Sequence, residues 1–91
     1  MANNPKVYIE VAVVFSNDGR MLPLSLAWED GQRFTIDRIL DVRTAAAQKA
    51  GGQGLRYTVR IKGQQSYLFF ERSSDISGEY LGRWFVERRT C

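Results

Sequence analysis

The sequence predicts an all-β fold, a small antiparallel, partly open barrel of five or six strands with one long Ala/Gly-rich loop. Apolar and polar residues alternate with a period of two in at least four segments. Turn-forming residues separate these segments at the spacing of hairpins. The one run with helical propensity is a short alanine stretch that glycines end, so we expect no more than a turn or two of helix.

The first two predicted strands form a hairpin. Residues 6–15 alternate, and their odd-numbered positions are apolar throughout. Ser16 to Gly19 supply a tight turn, after which residues 21–28 alternate again. Because Pro23 has no N–H group for a ladder, this second strand is an edge, is bulged, or begins after the proline.

A second turn, over residues 29–31, leads into a strand at residues 33–37. The alternation then changes phase, because Ile39 interrupts an even-numbered apolar series that Leu40 and Val42 resume. Such an interruption predicts a bulge or a sharp bend, which a small barrel needs in order to close.

Residues 44–54 are predicted to form a long, mobile loop with one helical turn starting at Thr44. Three glycines and the lack of large apolar residues favour this interpretation, because little burial offsets the entropy of ordering the segment. Two roles stay open. The loop is either a passive connector or a segment that grips a partner through Arg43 and Lys49.

The clearest hairpin joins residues 55–62 to residues 65–71. A turn centred on Gly63 and Gln64 pairs Arg60 with Tyr67 and places basic and aromatic side chains on one face. The members of this predicted face are Arg56, Arg60, Lys62, Tyr67 and Phe69. Residues 72–82 then form a polar loop, and residues 83–88 form a last strand in which either Trp84 or Phe85 faces the core.

Length and composition indicate one small domain over residues 1–91, with frayed ends at 1–5 and 89–91. Hydrophobic residues make up 44% of the chain and charged residues 25%, as in ordinary globular proteins. We expect neither a membrane span nor a secretory signal. Cys91 is the single cysteine, so an intrachain disulfide is excluded, and we expect a cytoplasmic location.

Missing residue types narrow the chemistry. The chain has no histidine, so it lacks Ser-His and Cys-His dyads and imidazole ligands for zinc. Glycine motifs of the Walker and Rossmann types are also missing. We therefore expect no enzyme, no catalytic residue, no metal site and no cofactor.

Positive charge concentrates in the middle of the chain, although the net charge is only +3. Residues 38–63 carry six basic side chains against the single carboxylate of Asp41. Such a patch suits a phosphate backbone, an acidic protein or an anionic ligand. The alternative interpretation is a solvated face that keeps the protein soluble.

An SH3-like barrel is the preferred architecture. The alternatives are a sheet that buries one face by dimerisation and an OB-like barrel. A set of turn and core residues over 19–88 resembles a pattern in small bacterial β-domains, one group of which accompanies DNA-repair polymerases. These residues are Gly19-Arg20, Pro23, Trp28-Glu29-Asp30-Gly31, Phe34, Ile36, Arg56-Tyr57-Thr58-Val59 and Trp84. The resemblance implies a bacterial, cytosolic origin and carries over no catalytic residue.

Two classes of function follow. The first is a binding module for nucleic acid or another anionic partner, such as an acidic protein. Its candidate site residues are Arg43, Lys49, Arg56, Arg60, Lys62, Tyr67 and Phe69. The second is a structural homo-oligomer or accessory interaction subunit, in which a loop or a second copy covers Tyr67 and Phe69 and an edge strand pairs across a two-fold axis.

Overall fold

The computed structural model describes residues 6–46, 53–73 and 78–88, and these residues form seven strands and no helix. The strands are β1 (Lys6–Phe15), β2 (Met21–Ala27), β3 (Arg33–Thr35), β4 (Arg38–Ala46), β5 (Gln53–Ile61), β6 (Gln64–Arg72) and β7 (Gly82–Glu87). Neighbouring strands are antiparallel, in the order β3-β2-β1-β7-β6-β5-β4. The all-β prediction is confirmed. The count is seven rather than five or six because the chain breaks between β3 and β4 instead of bending within one strand.

The sheet curls, and the short link between its edge strands β3 and β4 bonds to both sides of it. The N–H of Ile36 donates to the carbonyl of Leu24 on β2, at 2.9 Å. The N–H of Asp37 donates to the carbonyl of Arg60 on β5, at 2.8 Å. Two consecutive residues therefore bond to strands on opposite sides of the sheet, which makes an antiparallel half-barrel. Its inner face is apolar, and its outer face carries both charged and aromatic side chains.

Strand β1 is shared between two neighbours. Its residues 6–9 pair with β7, and its residues 10–15 pair with β2. The register with β2 shifts between Ala12 and Val13, opposite Pro23. Of the three predicted explanations for the proline, the bulge is therefore right. Strand β2 is not an edge, because it lies between β1 and β3.

One buried cluster fills the inner face. Its members are Leu26, Ile36, Tyr57, Val59, Leu68 and Trp84. The ring of Trp84 lies 5.3 Å from that of Tyr57 and 5.0 Å from that of Phe70, measured between centroids. The hydroxyl of Tyr57 donates to the carbonyl of Met21 at 2.5 Å, so this polar group enters the core with a partner.

The hairpin between β5 and β6 turns one residue earlier than the sequence predicts. Lys62 and Gly63 occupy its centre with φ angles of 50° and 76°, as a type I′ turn requires. The backbone N–H of Lys62 donates to the carboxylate of Asp37 at 3.0 Å, which favours this otherwise costly conformation. The predicted pairing of Arg60 with Tyr67 is wrong, because Arg60 lies opposite Gln65. Since the register differs by an even number of residues, the two faces of the hairpin are unchanged.

The predicted loop over 44–54 is shorter than expected. Thr44 pairs with Leu55 and Ala45 with Gly54, so β4 and β5 extend into this segment at both ends. The predicted helical turn starting at Thr44 is wrong there, because cross-strand pairing overrides the helix propensity of alanine. The rest of the segment, including Lys49, lies outside the described residues, as do the ends predicted to fray.

We expect Tyr57→Phe to lower the free energy of unfolding by about 1–2 kcal/mol, because it removes a buried hydrogen bond without changing the packed ring. Urea denaturation measures the change. Tyr67→Phe is the matched control, since the Tyr67 side chain is exposed, and it should change stability by less than about 0.5 kcal/mol. Equal losses in the two variants would contradict the assigned role of the Tyr57 hydroxyl.

We expect Gly82→Ala to destabilise the fold by about 2–4 kcal/mol. A Cβ atom at this position would lie 2.4 Å from the carbonyl oxygen of Glu71 and 2.6 Å from Cζ of Phe70, on a residue with φ of +154°. Gly31→Ala is the control, because it also has a positive φ, of +91°, but open space around it. Thermal unfolding should show a clearly larger loss for Gly82→Ala; a loss no larger than that of Gly31→Ala would refute the close contact.

Candidate functional site

The predicted site residues lie on the outer face of the half-barrel, where one row of paired residues crosses five strands. In order across the sheet, the row consists of Arg43, Arg56, Phe69, Phe85 and Tyr8. Residues directly opposite on neighbouring strands share a face, so these side chains project to the same side. The structure thus places basic side chains at one end of the row and aromatic side chains at the other.

A bulge at Leu40 sets the basic end. The register between β4 and β5 shifts between Ile39 and Asp41, at the position where the sequence predicts a bulge or bend. A one-residue slip reverses which face each side chain takes, so the bulge puts Arg43 on the outer face together with Arg38. Arg38 lies opposite Arg60, and Arg43 lies opposite Arg56. We call these four residues the arginine face.

The arginine face contains like charges directly across the strands, an arrangement that destabilises a sheet. One carboxylate relieves it, since Asp41 accepts a hydrogen bond from Nε of Arg43 at 2.7 Å. Within residues 6–46, 53–73 and 78–88, no ion pair joins a carboxylate to Arg38, Arg56 or Arg60. Their guanidinium groups can therefore accept an anionic partner.

Tyr67 lies beside the arginine face. The guanidinium carbon of Arg56 is 4.9 Å from the centroid of the Tyr67 ring, within the range of a cation–π contact. The sequence predicts this contact for Arg60 instead. Arg56 makes it because the hairpin turns one residue earlier than predicted, which places Tyr67 opposite Thr58 rather than opposite Arg60. The Tyr67 side chain is 44% exposed, so it is not covered by the described part of the chain.

Phe69 has a different environment from Tyr67. Its ring stacks on that of Phe85 with centroids 5.0 Å apart and planes 5° apart. The edge of Tyr8 meets Phe85 at 5.7 Å, and Nζ of Lys6 lies 4.8 Å from the Phe85 centroid. Phe85 is only 7% exposed, so this outer aromatic cluster of Tyr8, Phe69 and Phe85 is a second, smaller packing centre. Trp84 faces the inner core and Phe85 the outer cluster, and both are buried.

Glu71 joins three elements next to this cluster. It accepts a hydrogen bond from the Tyr8 hydroxyl at 3.0 Å and forms ion pairs with Lys6 at 3.4 Å and Arg83 at 3.7 Å. Partial burial raises the pKa of Glu71, but the Tyr8 hydrogen bond and the two cations outweigh burial and leave that pKa below its usual value. The arrangement ties β1, β6 and β7 together at the outer face.

The structure brings together five of the seven predicted site residues on the outer face. They are Arg43, Arg56, Arg60, Tyr67 and Phe69. Lys62 occupies the turn instead, with Nζ 5.1 Å from the Phe34 centroid, and Lys49 lies outside the described residues. Arg43, predicted on a gripping loop, lies within β4.

Sequence reasoning missed Arg38, Tyr8 and Phe85. Arg38 belongs to the basic segment, and the other two occupy polar-phase positions of their strands. The sequence pattern can place each of these side chains on the outer side of its own strand. It cannot show that they lie near the predicted site, because that depends on pairing between distant segments.

Two further observations concern the described residues alone. Over 6–46, 53–73 and 78–88, no group of three or more acidic or cysteine side chains has the arrangement to hold a metal ion. No helix in these ranges has the length and apolar character to cross a membrane. No protein-family model, curated protein or solved structure matches the chain.

We expect Glu71→Gln to flatten the dependence of stability on pH below about pH 5. Because the folded-state pKa of Glu71 lies below the unfolded value of 4.5, its contribution is present above that value and is lost as pH falls through the folded-state pKa. Urea denaturation at a series of acidic pH values measures the slope. Glu10→Gln, which removes an exposed carboxylate paired with Arg33 at 3.8 Å, is the control for the loss of a surface carboxylate. An unchanged slope in Glu71→Gln would contradict the assignment.

Proposed function

We propose that this protein binds single-stranded nucleic acid through the arginine face and Tyr67. The observation that carries the proposal is the direct opposition of Arg38 to Arg60 and of Arg43 to Arg56. An arrangement that costs stability in the free protein is relieved when an anion lies between the paired cations.

The chemistry of the face matches the two parts of a nucleotide. Arginine pairs with phosphate oxygens through two parallel hydrogen bonds, and an exposed aromatic ring stacks on a base. Arg56 and Arg60 are about 13 Å apart along β5, at about 3.3 Å per residue. Tyr67 pairs with Thr58, which lies between them, so phosphates at both arginine pairs can flank a base on the tyrosine.

A single strand is favoured over a duplex, because the bases of a duplex are stacked on one another and hide their faces from a tyrosine. An SH3-like affiliation of the half-barrel, its resemblance to the bacterial β-domains and a cytoplasmic location stay predictions. A structural homo-oligomer and an acidic protein partner are the competing hypotheses.

Fluorescence anisotropy with labelled oligothymidine and oligouridine of about 10 nucleotides tests the proposal. We expect binding that weakens steeply with salt, with a slope of about −0.7 for each phosphate contact on a logarithmic plot. Arg60→Ala should weaken binding and reduce this slope by about 0.7. Tyr67→Ala should weaken binding by about 5- to 150-fold, since a stacked base contributes about 1–3 kcal/mol, and leave the slope unchanged.

Arg33→Ala supplies the matched control, because Arg33 is an exposed cation on β3 that already pairs with Glu10 and does not belong to the arginine face on β4 and β5. It should bind as the unaltered protein does. Phe69→Ala is the weaker test, since loss of stacking on Phe85 should also lower stability. The nucleic-acid proposal fails if the unaltered protein binds neither oligonucleotide at low salt, or if Arg33→Ala weakens binding as much as Arg60→Ala. A salt-insensitive dimer in light scattering, combined with no binding, would support the homo-oligomer instead.

A further inference from the structure

A second site lies at one open end of the half-barrel, on the inner face. A cavity of about 370 Å³ opens where β1 turns into β2 and where β4 pairs with the start of β5. This volume is within the range of small-molecule sites, roughly 300–1,000 Å³. Its walls are mainly apolar side chains, namely Phe15, Met21, Leu55, Phe70 and Leu81.

Arg72 is the feature that gives the cavity a chemical preference. Leu68 and Phe70 precede it at alternate positions of β6 and face inward, so Arg72 takes the inward phase as well. Its cross-strand partner is Gly82, which has no side chain to cover it. Strand β6 lies inside the sheet, between β5 and β7, so this charge does not protect an exposed edge.

The remaining lining has one further side-chain polar group and no described acidic one. Thr44 pairs with inward-facing Leu55 and offers a hydroxyl group beside the apolar walls. Among the described residues, no carboxylate forms an ion pair with Arg72. A cation and a hydroxyl on an apolar cavity complement a ligand with an apolar body and a negative head.

Two large apolar side chains at the cavity are left in water. Phe15 is 64% exposed and Leu81 is 67% exposed, although both line the same space. A ligand whose body lies between them would bury this surface, which is the main driving force for binding an apolar group. We propose that the cavity binds a small amphipathic anion, with a body the size of a medium-chain acyl group and a carboxylate or phosphate head at Arg72.

This site is independent of the proposed nucleic-acid face, because it lies on the opposite side of the sheet. The competing explanation for Arg72 is structural: its stem covers apolar surface while its guanidinium group reaches water. The two explanations differ in what a neutral residue at this position does to ligand binding.

Titration of the full chain with decanoate, followed by calorimetry and by backbone amide shifts, tests the proposal. Two control ligands each lack one feature of decanoate: decanol has the chain without the charge, and acetate has the charge without the chain. We expect decanoate to bind at least about tenfold more tightly than decanol, and acetate not to bind. Amide shifts should concentrate at Leu55, Phe70 and Gly82, and should be small at Arg60 and Gln65.

Protein variants distinguish the binding contribution of the ligand's charged head from that of its apolar body. Arg72→Gln should weaken decanoate about tenfold and leave decanol unchanged, whereas Leu81→Ala should weaken both ligands. Leu24→Ala removes an exposed apolar side chain outside the cavity and Arg83→Gln removes an exposed charge outside it, so neither should change binding. Unaltered decanoate affinity in Arg72→Gln, equal affinities for decanoate and decanol, or shifts confined to the outer face would overturn the proposal.

Sedimentation with phosphatidylglycerol vesicles identifies the source of the ligand once decanoate binds. If the protein co-sediments with the vesicles and Arg72→Gln weakens this, the result would support a membrane lipid as the source of the anionic head and acyl chain. Decanoate binding without co-sedimentation would support a free amphipathic anion. Co-sedimentation that Arg72→Gln leaves unchanged, together with unchanged decanoate binding, would overturn the proposal for both sources.

Discussion

The closure of the sheet at Ile36 and Asp37 is the constraint on which the rest of the molecule depends. These neighbours donate their N–H groups to β2 and β5, the strands next to the two edges of the sheet, so the sheet must curl. A flat sheet of this size would leave one apolar face in water, whereas the curl lets the inner face bury itself without a second layer. Leu68 and Val59 are fully buried as a result. The Asp37 carboxylate also binds the N–H of Lys62, so the same residue helps to hold both the edge and the adjoining turn.

A single extra residue, Leu40, sets the character of the outer face. Without this bulge, the residues after it would change sides, and Arg43 would face the cavity end of the inner surface. With it, like charges meet directly across β4 and β5. Packing does not explain this arrangement, because the four arginines gain only one carboxylate partner among the described residues. The cost is understandable if an anion completes the face.

Some aromatic side chains stabilise the sheet by packing, and others are exposed to solvent. On the outer face, Phe85 packs against Phe69 and Tyr8 and lies beneath Nζ of Lys6, so it stabilises the pairing of β1 with β7. Tyr67 remains open to solvent on the same face. At the open barrel end, Phe15 and Leu81 are likewise open, beside an inward-phase arginine. The protein therefore has two chemically different surfaces, a cationic and aromatic outer face and an apolar cavity that holds one arginine.

The sequence by itself determined most of the strand segments, the two faces of the β5–β6 hairpin with its basic–aromatic side, and the site of the bulge at Leu40. These features are local, because a period of two is visible in any short segment and a one-residue slip would send charges into the core. The tertiary structure decided the break at Ile36, the turn at Lys62 and the meeting of Tyr8 with Phe85. Each depends on a partner far along the chain: Leu24 and Arg60 at the break, Asp37 at the turn, and the pairing of the first strand with the last at the aromatic cluster. Alternation along a strand carries no information about which distant strand lies beside it, and that choice is made only when the strands assemble into the curled sheet.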